Sequence, residues 1–381
     1  MDQRVAFISD WLRNEWTVTE LAERYQISRK TAYKWLDRYA EDPEHGLAER
    51  SRAPLAHGRA MPTDIRAAVL ALRRAHPRWG PKKLRAILHE REPARPWPAP
   101  STMGDLLRRS GLSAPRRRPR YVIPLTQPLA AAEAPNDVWT ADFKGWFRTA
   151  DGTRCDPLTV ADACSRFVFC CRIVAVSAPG VRPWFERTFR EYGLPRALRT
   201  DNGTPFATTG AGRLSRLAVW WLKLGIQLDR IDPGHPEQNG RHERFHLTLQ
   251  QETTHPPART PRQQQARFDR MRREFNEVRP HEALGQQPPA RHYGPAPRPY
   301  PTRLAEPWYD ATHQVRRVKD RGWIKWHGDR VFISEAVRGE LVGVAETPRG
   351  DWLVRFMHVE LGRIDRQTRH FTPAWHGRRI G

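Results

Sequence analysis

The apolar positions of this chain change their period twice. They recur at helical spacing up to residue 113, mix strand-like and helical runs from 138 to 277, and fall into short strand-like runs from 319 to 365. In the first stretch Arg4 to Leu12 is amphipathic. Thr17-Val-Thr-Glu20 has the form in which hydroxyl and carboxylate satisfy the free amides at a helix start. A short helix carrying Leu21, Ala22 and Tyr25 follows, and after a break at Gln26-Ile27, Ser28 is placed to cap a helix from Arg29 to Tyr39. That spacing fits a helix-turn-helix whose second helix enters a DNA major groove, with Arg29, Lys30, Thr31, Tyr33 and Lys34 facing the DNA. It also fits an ordinary three-helix bundle with a solvated basic face. Beyond a polar linker at 43–62 the pattern repeats. Thr63 is expected to cap Asp64 to Arg74, Trp79-Gly-Pro81 turns the chain into Lys82 to Glu92, and Ser101 caps a third helix through Leu107 to Gly111. Ser101, Thr102, Arg108 and Arg109 are expected on the exposed side of that helix.

From Val138 to Phe147 a period of two puts Thr140, Asp142 and Lys144 on one face, and Trp139, Ala141, Phe143 and Phe147 on the other. Asp151-Gly152 signals a hairpin turn, and strands follow near 155–161 and 166–174. An amphipathic helix near 179–192 precedes a strand from Ala197 to Thr200 that ends at Asp201. Then come a helix (Leu214 to Leu224), a strand (Ile226 to Ile231) and two helices (Gln238 to Glu252 and Thr260 to Glu277). Antiparallel strands followed by alternating strands and helices predict a mixed sheet with helices packed on it. After a Pro-rich spacer, five short strands within residues 319–365 suit a small β-barrel. The expected fold class is multidomain α/β. Its parts are a helical domain at 1–45, a second, winged-helix-like one at 61–113, a basic linker at 114–136, a mixed-sheet core at 137–295 and a small barrel at 318–370.

Charge narrows the partner. The 381 residues include 65 Lys and Arg against 42 Asp and Glu, a formal charge of +23, which argues for a polyanion and first for nucleic acid. An anionic membrane surface is the rival, but no 18-residue apolar run and no clean basic amphipathic helix supports it. The tether Ala114-Pro-Arg116-Arg117-Arg118-Pro-Arg120 suits phosphates or a minor groove. Cys155, Cys164, Cys170 and Cys171 form no C-x-x-C pair and read as reduced core thiols. With no signal peptide visible, a cytoplasmic, nucleoid-associated protein is expected.

The candidate chemistry lies in carboxylates. Asp142 stands inside an apolar strand, where a charge is costly unless it is paired or bound to metal; Lys144 on the same face offers a structural alternative. Asp201 heads the turn Asp-Asn-Gly203. Glu237 and Glu243 lie in the stretch Pro233 to His246, which opens as a loop and runs into a helix. Three such groups match what two hard Mg²⁺ ions require for phosphoryl transfer. Asp162, on a neighbouring strand end, reads as a turn or core salt-bridge residue.

Trp139-Thr-Ala-Asp142, Arg199-Thr-Asp201-Asn-Gly and Pro236-Glu-Gln-Asn-Gly-Arg-His-Glu243-Arg together resemble the three motifs of the DDE transposases of the bacterial insertion-sequence type, which carry a retroviral-type integrase core. The layout of the chain is similar over most of its length. The resemblance implies an RNase H-like core that cleaves and joins DNA strands with Mg²⁺ (two ions, Mn²⁺ substituting), and assembly into a dimer or higher multimer. Its partner is double-stranded DNA, both the inverted repeats at element ends and the target. Asp142, Asp201 and one glutamate would be the catalytic metal ligands. Between Asp201 and Glu237 lie 35 residues, the spacing for which the superfamily is often labelled, against 41 to Glu243. The family frame, Pro-x-x-x-Gly with the glutamate three positions on, fits Pro236, Gly240 and Glu243, so Glu243 is the expected ligand. His235, Asn239, Arg241, His242, Arg244 and His246 make this stretch strongly cationic and together could hold the DNA end, with Asn239, Arg241, His242 and Arg244 the chosen contacts, although any one of them alone reads as a solvated or supporting residue. Leu247 and Gln250 stand where retroviral relatives carry lysines, so that grip must be arranged differently. Two other readings stay open: a catalytically silent DNA-binding relative, which metal-dependent nicking would separate, and a plain RNase H-like nuclease, whose cleavage would survive loss of residues 1–120.

Overall fold

A computed structural model of the chain describes residues 2–49, 61–113, 132–231, 240–304 and 306–374, with the Arg241 side chain excepted. The chain divides into two compact units between residues 63 and 64.

The first unit holds α1 (Gln3–Leu12), α2 (Val18–Arg24) and α3 (Arg29–Glu41). Local chemistry sets each start. The Asp2 carboxylate accepts from the Arg4 amide, Thr17 and Glu20 cap α2 reciprocally, and the Ser28 hydroxyl accepts from the Thr31 amide. Phe7, Ile8, Leu21, Ala22 and Ala32 form the core, with the Phe7 ring meeting Tyr25 and Trp35 edge-on at 5.6 and 5.5 Å.

The second unit opens with α4 (Thr63–Ala75), α5 (Pro81–Arg91) and α6 (Pro100–Arg109). Two expected caps are corrected. Helix α4 takes in Thr63 itself, and α6 begins at Pro100 after Ala99 with no side-chain cap, leaving Ser101 within its first turn. Proline at the first helical position has a preset φ and no amide to satisfy, so it starts the helix without a capping hydroxyl. The His76 ring pairs with Glu274 at 2.9 Å, Glu90 meets Arg291 at 2.6 Å, and the Lys83 ammonium donates to the Pro280 carbonyl, so these helices are seated on the segment around residues 274–291.

The core contains β1 (Val138–Phe143), β2 (Phe147–Arg148), β3 (Arg154–Cys155), β4 (Pro157–Asp162), β5 (Val168–Ile173), α7 (Ala178–Tyr192), β6 (Ala197–Thr200), α8 (Arg216–Lys223), β7 (Gln227–Arg230), α9 (Gly240–Thr253) and α10 (Pro261–Glu277). Strands β2 and β3 form a small separate hairpin, and the main sheet runs β5-β4-β1-β6-β7. Its first three strands are antiparallel, and β1, β6 and β7 are parallel, which is the RNase H-like mixed sheet. One face packs Trp139, Ala141, Leu158 and Val160 against Phe185 and Phe189 of α7 and Trp220 and Trp221 of α8. The other packs Ala161, Val168 and Cys171 against Phe245 and Leu249 of α9 and Phe268, Met271 and Phe275 of α10. Strand β1 is therefore covered on both sides, and Thr140, expected on a polar face, is buried. Cys155, Cys170 and Cys171 are buried free thiols, and burial pushes Cys170 up to about 12.

The C-terminal part adds β8 (Gln314–Arg317), β9 (Trp323–Trp326), β10 (Asp329–Phe332), β11 (Leu341–Glu346), β12 (Trp352–Phe356), β13 (Val359–Ile364) and β14 (Phe371–Pro373). The five expected strands are present, joined by β8 and β14 at the sheet edges. They pair as a five-stranded antiparallel sheet, β14-β13-β12-β11-β8, and a β9–β10 ribbon. Both enclose one core that also takes in Ala218, Val219 and Leu222 of α8. Helix α8 is thus apolar all round because it lies between two sheets. Among the described residues no helix is long and apolar enough to cross a membrane.

Candidate active site

Strand pairing brings the first two carboxylates level. Ala141 of β1 sits opposite Thr200 of β6 in the parallel ladder, so the next residues, Asp142 and Asp201, leave adjacent strands at the same end of the sheet. Neighbouring strands are spaced about 4.8 Å apart. Burial is the largest cause raising the Asp142 carboxyl, to about 7; the charges of Asp201 and Glu243 add to it, while the Phe143 amide and Lys144 oppose it. Asp201 and Glu243 therefore each lie within electrostatic reach of Asp142.

Asp201 is raised by burial and opposed by the Gly203 amide. Its Oδ1 is buried with no hydrogen-bond partner among the described residues, a state that a carboxylate oxygen tolerates poorly without a cation. Gly203 makes the close approach possible, since a Cβ there would meet Asp201 Oδ2 at 2.9 Å.

Glu243 lies exposed in the first turn of α9. That helix is fastened to the sheet by histidines on its inner side. His242 Nδ1 meets the Thr140 hydroxyl at 2.7 Å, while His242 Nε2 and His246 Nε2 converge on the Thr159 hydroxyl at 2.6 and 2.7 Å. Thr159 sits opposite Asp142 in the β1–β4 ladder and donates to the Asp142 carbonyl at 3.0 Å. His246 Nδ1 is 3.9 Å from Asp142 Oδ2. Burial lowers His242 to about 3 and His246 to about 2, so both rings are neutral near pH 7. Two strand threonines and two neutral imidazoles thus set the position of α9, and with it Glu243, relative to Asp142.

This corrects one expectation. His242 is only 3% exposed and His246 is also buried, so neither ring faces a DNA end. Arg244, beside Glu243, is exposed as expected. Glu237, His235 and Asn239 lie outside the described residues, as do Arg116, Arg117 and Arg118; Arg241 is in α9, but its side chain also lies outside them. In the helical regions Arg29, Lys30, Tyr33 and Lys34 are exposed along α3 with Thr31 half-buried, and Ser101, Thr102, Arg108 and Arg109 are exposed on α6. Arg108 pairs with Asp105 at 3.0 Å. Asp162 is a buried turn residue that accepts from the Asn136 amide and from the amide and hydroxyl of Ser165.

The donor set of Asp142, Asp201 and Glu243 is all oxygen, which suits a hard divalent cation, and the unpaired Asp201 Oδ1 and the raised Asp142 fit one. The cage is not preformed: among the described residues no three of His, Cys, Asp and Glu converge as a metal cluster.

Comparison with known proteins follows the same division. Family models match over residues 3–54 (helix-turn-helix domain), 31–107 (homeodomain-like domain), 132–236 and 224–289 (integrase core domain) and 313–372 (IS481 family transposase, C-terminal domain). An uncharacterized 39.2 kDa protein of insertion element IS476 from Xanthomonas euvesicatoria is 29% identical over 288 residues, 74% of this chain and 79% of that one. An uncharacterized 31.7 kDa protein of insertion element IS407 from Burkholderia multivorans is 32% identical over 196 residues, 49% of this chain and 65% of that one. Among solved structures, the simian T-cell lymphotropic virus intasome in complex with PP2A regulatory subunit B56 gamma is 16% identical, covering 81% of this chain and 100% of that chain, with a TM-score of 0.37. The HTLV-2 integrase catalytic core domain in complex with magnesium is 14% identical, covering 42% and 99%, with a TM-score of 0.34.

Proposed function

The chain belongs to the insertion-sequence transposases with a retroviral-type integrase core, of the IS481 type, and from that premise we propose that it binds the repeats at the ends of its DNA element, cuts there and joins the freed strands to target DNA. The observation that supports this most is the strand register that brings Asp142 and Asp201 to the same end of the mixed sheet, where the buried Asp201 Oδ1 has no partner among the described residues.

Asp142, Asp201 and Glu243 would hold two Mg²⁺ ions, with Mn²⁺ as a substitute, which supply positive charge to the attacking and leaving oxygens of a phosphodiester. The protein's own part is placement. Thr159, His242 and His246 fix α9, the helix that carries Glu243, without adding a cation inside the site. Lys144, whose charge acts on Asp142, and the exposed Arg244 would meet phosphate oxygens. In the first step a water oxygen attacks phosphorus at the element end, the bond to the 3′-oxygen breaks, and that oxygen leaves as a 3′-hydroxyl. In the second the 3′-hydroxyl attacks a target phosphorus in line, giving up its proton, and a target 3′-hydroxyl leaves. No bond to the protein forms. Arg29, Lys30, Thr31, Tyr33 and Lys34 on α3, and Ser101, Thr102 and Arg108 on α6, read the repeats, with Arg116, Arg117 and Arg118 on the backbone between. A second copy holds the other element end.

A strand-transfer assay with purified protein, element-end duplex and Mg²⁺ tests the proposal. Asp201→Asn should bind the end with unchanged affinity in metal-free buffer, and both cleavage and joining should fall to background. Joining at the wild-type rate by that variant would overturn it.

A further inference from the structure

The loop leaving β1 carries a tryptophan that the core does not use. Trp139, Trp220 and Trp221 of the same domain are buried, whereas Trp146, four residues past Asp142, is 58% exposed. It is held there from both sides. The Lys144 amide still donates to the Pro157 carbonyl at 3.0 Å, which extends the β1–β4 pairing beyond Asp142. Gly145 then turns the chain at φ +83°, and Phe147 packs inward with its ring 6.2 Å from Phe268. Two guanidinium groups lie over the indole, Arg148 at 5.8 Å and Arg154 at 5.3 Å from the ring centroid, paired across the β2–β3 hairpin. Four residues span at most about 14 Å of chain, and nucleotides follow one another along a strand about every 3.4 Å. The Trp146 backbone therefore lies within about 14 Å of that of Asp142, close enough for the indole to meet the strand whose phosphate is held there. An exposed aromatic ring among cations beside a phosphate site has the make-up of a single-strand platform, on which bases stack while basic groups follow the backbone.

We propose that Trp146 stacks an unpaired base of the DNA strand beside the scissile phosphate, and that Arg148 takes a phosphate next to that base, while Arg154, held by Asp156 at 2.8 and 2.9 Å, backs the indole. The inference rests on the strand-transferase reading above and adds that the end must be locally opened to be cut. Only a base pulled out of its duplex stack presents a free face to the indole.

Single-turnover cleavage of element-end duplexes separates the possibilities, with thermal melting of each variant as a check on folding. Trp146→Ala should cut a fully paired end at least about tenfold more slowly than wild type, and Trp146→Phe should retain most of the rate. Ends carrying mismatches in the four pairs beside the cut should restore Trp146→Ala to within about threefold of wild type, a rescue that a merely structural role of the ring would not give. Wild-type cleavage of paired ends by Trp146→Ala overturns the proposal, and so does a defect that mismatches leave unchanged. If the wild-type protein cuts neither paired nor mismatched ends, the strand-transferase reading fails, and this inference falls with it.

Discussion

Asp142 is the residue at which the strain of the site is concentrated. Its carboxyl is pushed from the ordinary 3.8 to about 7, first by burial and then by Asp201. In the unfolded chain it ionises near 4. Between those values the folded protein keeps a proton that the unfolded chain has lost, so the stability of the metal-free protein falls as pH rises from about 4 to about 7 and levels off above. The loss is on the order of 4 kcal/mol. His242 and His246 act in the opposite sense, because their depressed values contribute stability that is present above about 6.5 and lost as pH falls toward 3. Comparing two variants isolates the aspartate. Melting curves in chelator from pH 4.5 to 7.5 should show Asp142→Asn gaining on wild type as pH rises, and parallel curves would contradict this account. A metal bound at Asp142 as proposed would displace its proton, so Mg²⁺ affinity should fall as pH drops below about 7. Asp142 stands out in the sequence because a charge inside an apolar strand is costly unless it is paired or bound to metal, whereas Asp201 by itself reads equally as a turn residue. The histidines were not legible. His242 and His246 sit among arginines and read as cationic until the strand threonines beneath them are known.

At the scale of the element, α9 shows where pattern reading stops. Its existence, and the place of Glu243 in its first turn, follow from Pro236, Gly240 and the helical run after them. Which side faces the sheet follows from packing, through Phe245 and Leu249 on Phe268 and Phe275, and from the shared hydroxyl of Thr159. Thr159→Val removes that hydroxyl at nearly constant volume and leaves two buried ring nitrogens without their partner. Each unpaired group costs about 1–3 kcal/mol, which denaturant unfolding should report. End cleavage should fall about 10–100-fold, as for residues that orient metal ligands. Unchanged stability and rate would show that the histidine–threonine contacts do not hold the helix. Strand β1 teaches the same lesson: its alternation was read correctly, but both faces are covered, so polar Thr140 marks a contact with a helix and not a surface.

In the whole molecule the second unit is tied together through α8. The sequence marks the C-terminal part as separate by its Pro-rich spacer and change of texture, and its strands are where the pattern puts them. Its seat on the core is not legible, because a short helix that is apolar all round looks like a buried core helix whichever neighbours surround it. Ala218, Val219 and Leu222 belong to the C-terminal core, Trp220 and Trp221 to the catalytic one, and Lys223 meets Glu340 at 2.8 Å. Ending the chain at residue 312 should therefore strip one side of α8. The truncated protein should melt at lower temperature and bind a hydrophobic dye in its native state. A truncated core with the wild-type melting temperature and no dye binding would show that the two parts are independent.

The central claim is that Glu243, and not Glu237, completes the site with Asp142 and Asp201. Its most direct test is a side-by-side strand-transfer assay of Glu243→Gln and Glu237→Gln on the same end duplex with Mg²⁺. Glu243→Gln is predicted to bind the end and yield no joined product, while Glu237→Gln joins at close to the wild-type rate. Joining by Glu243→Gln together with its loss in Glu237→Gln would contradict the account.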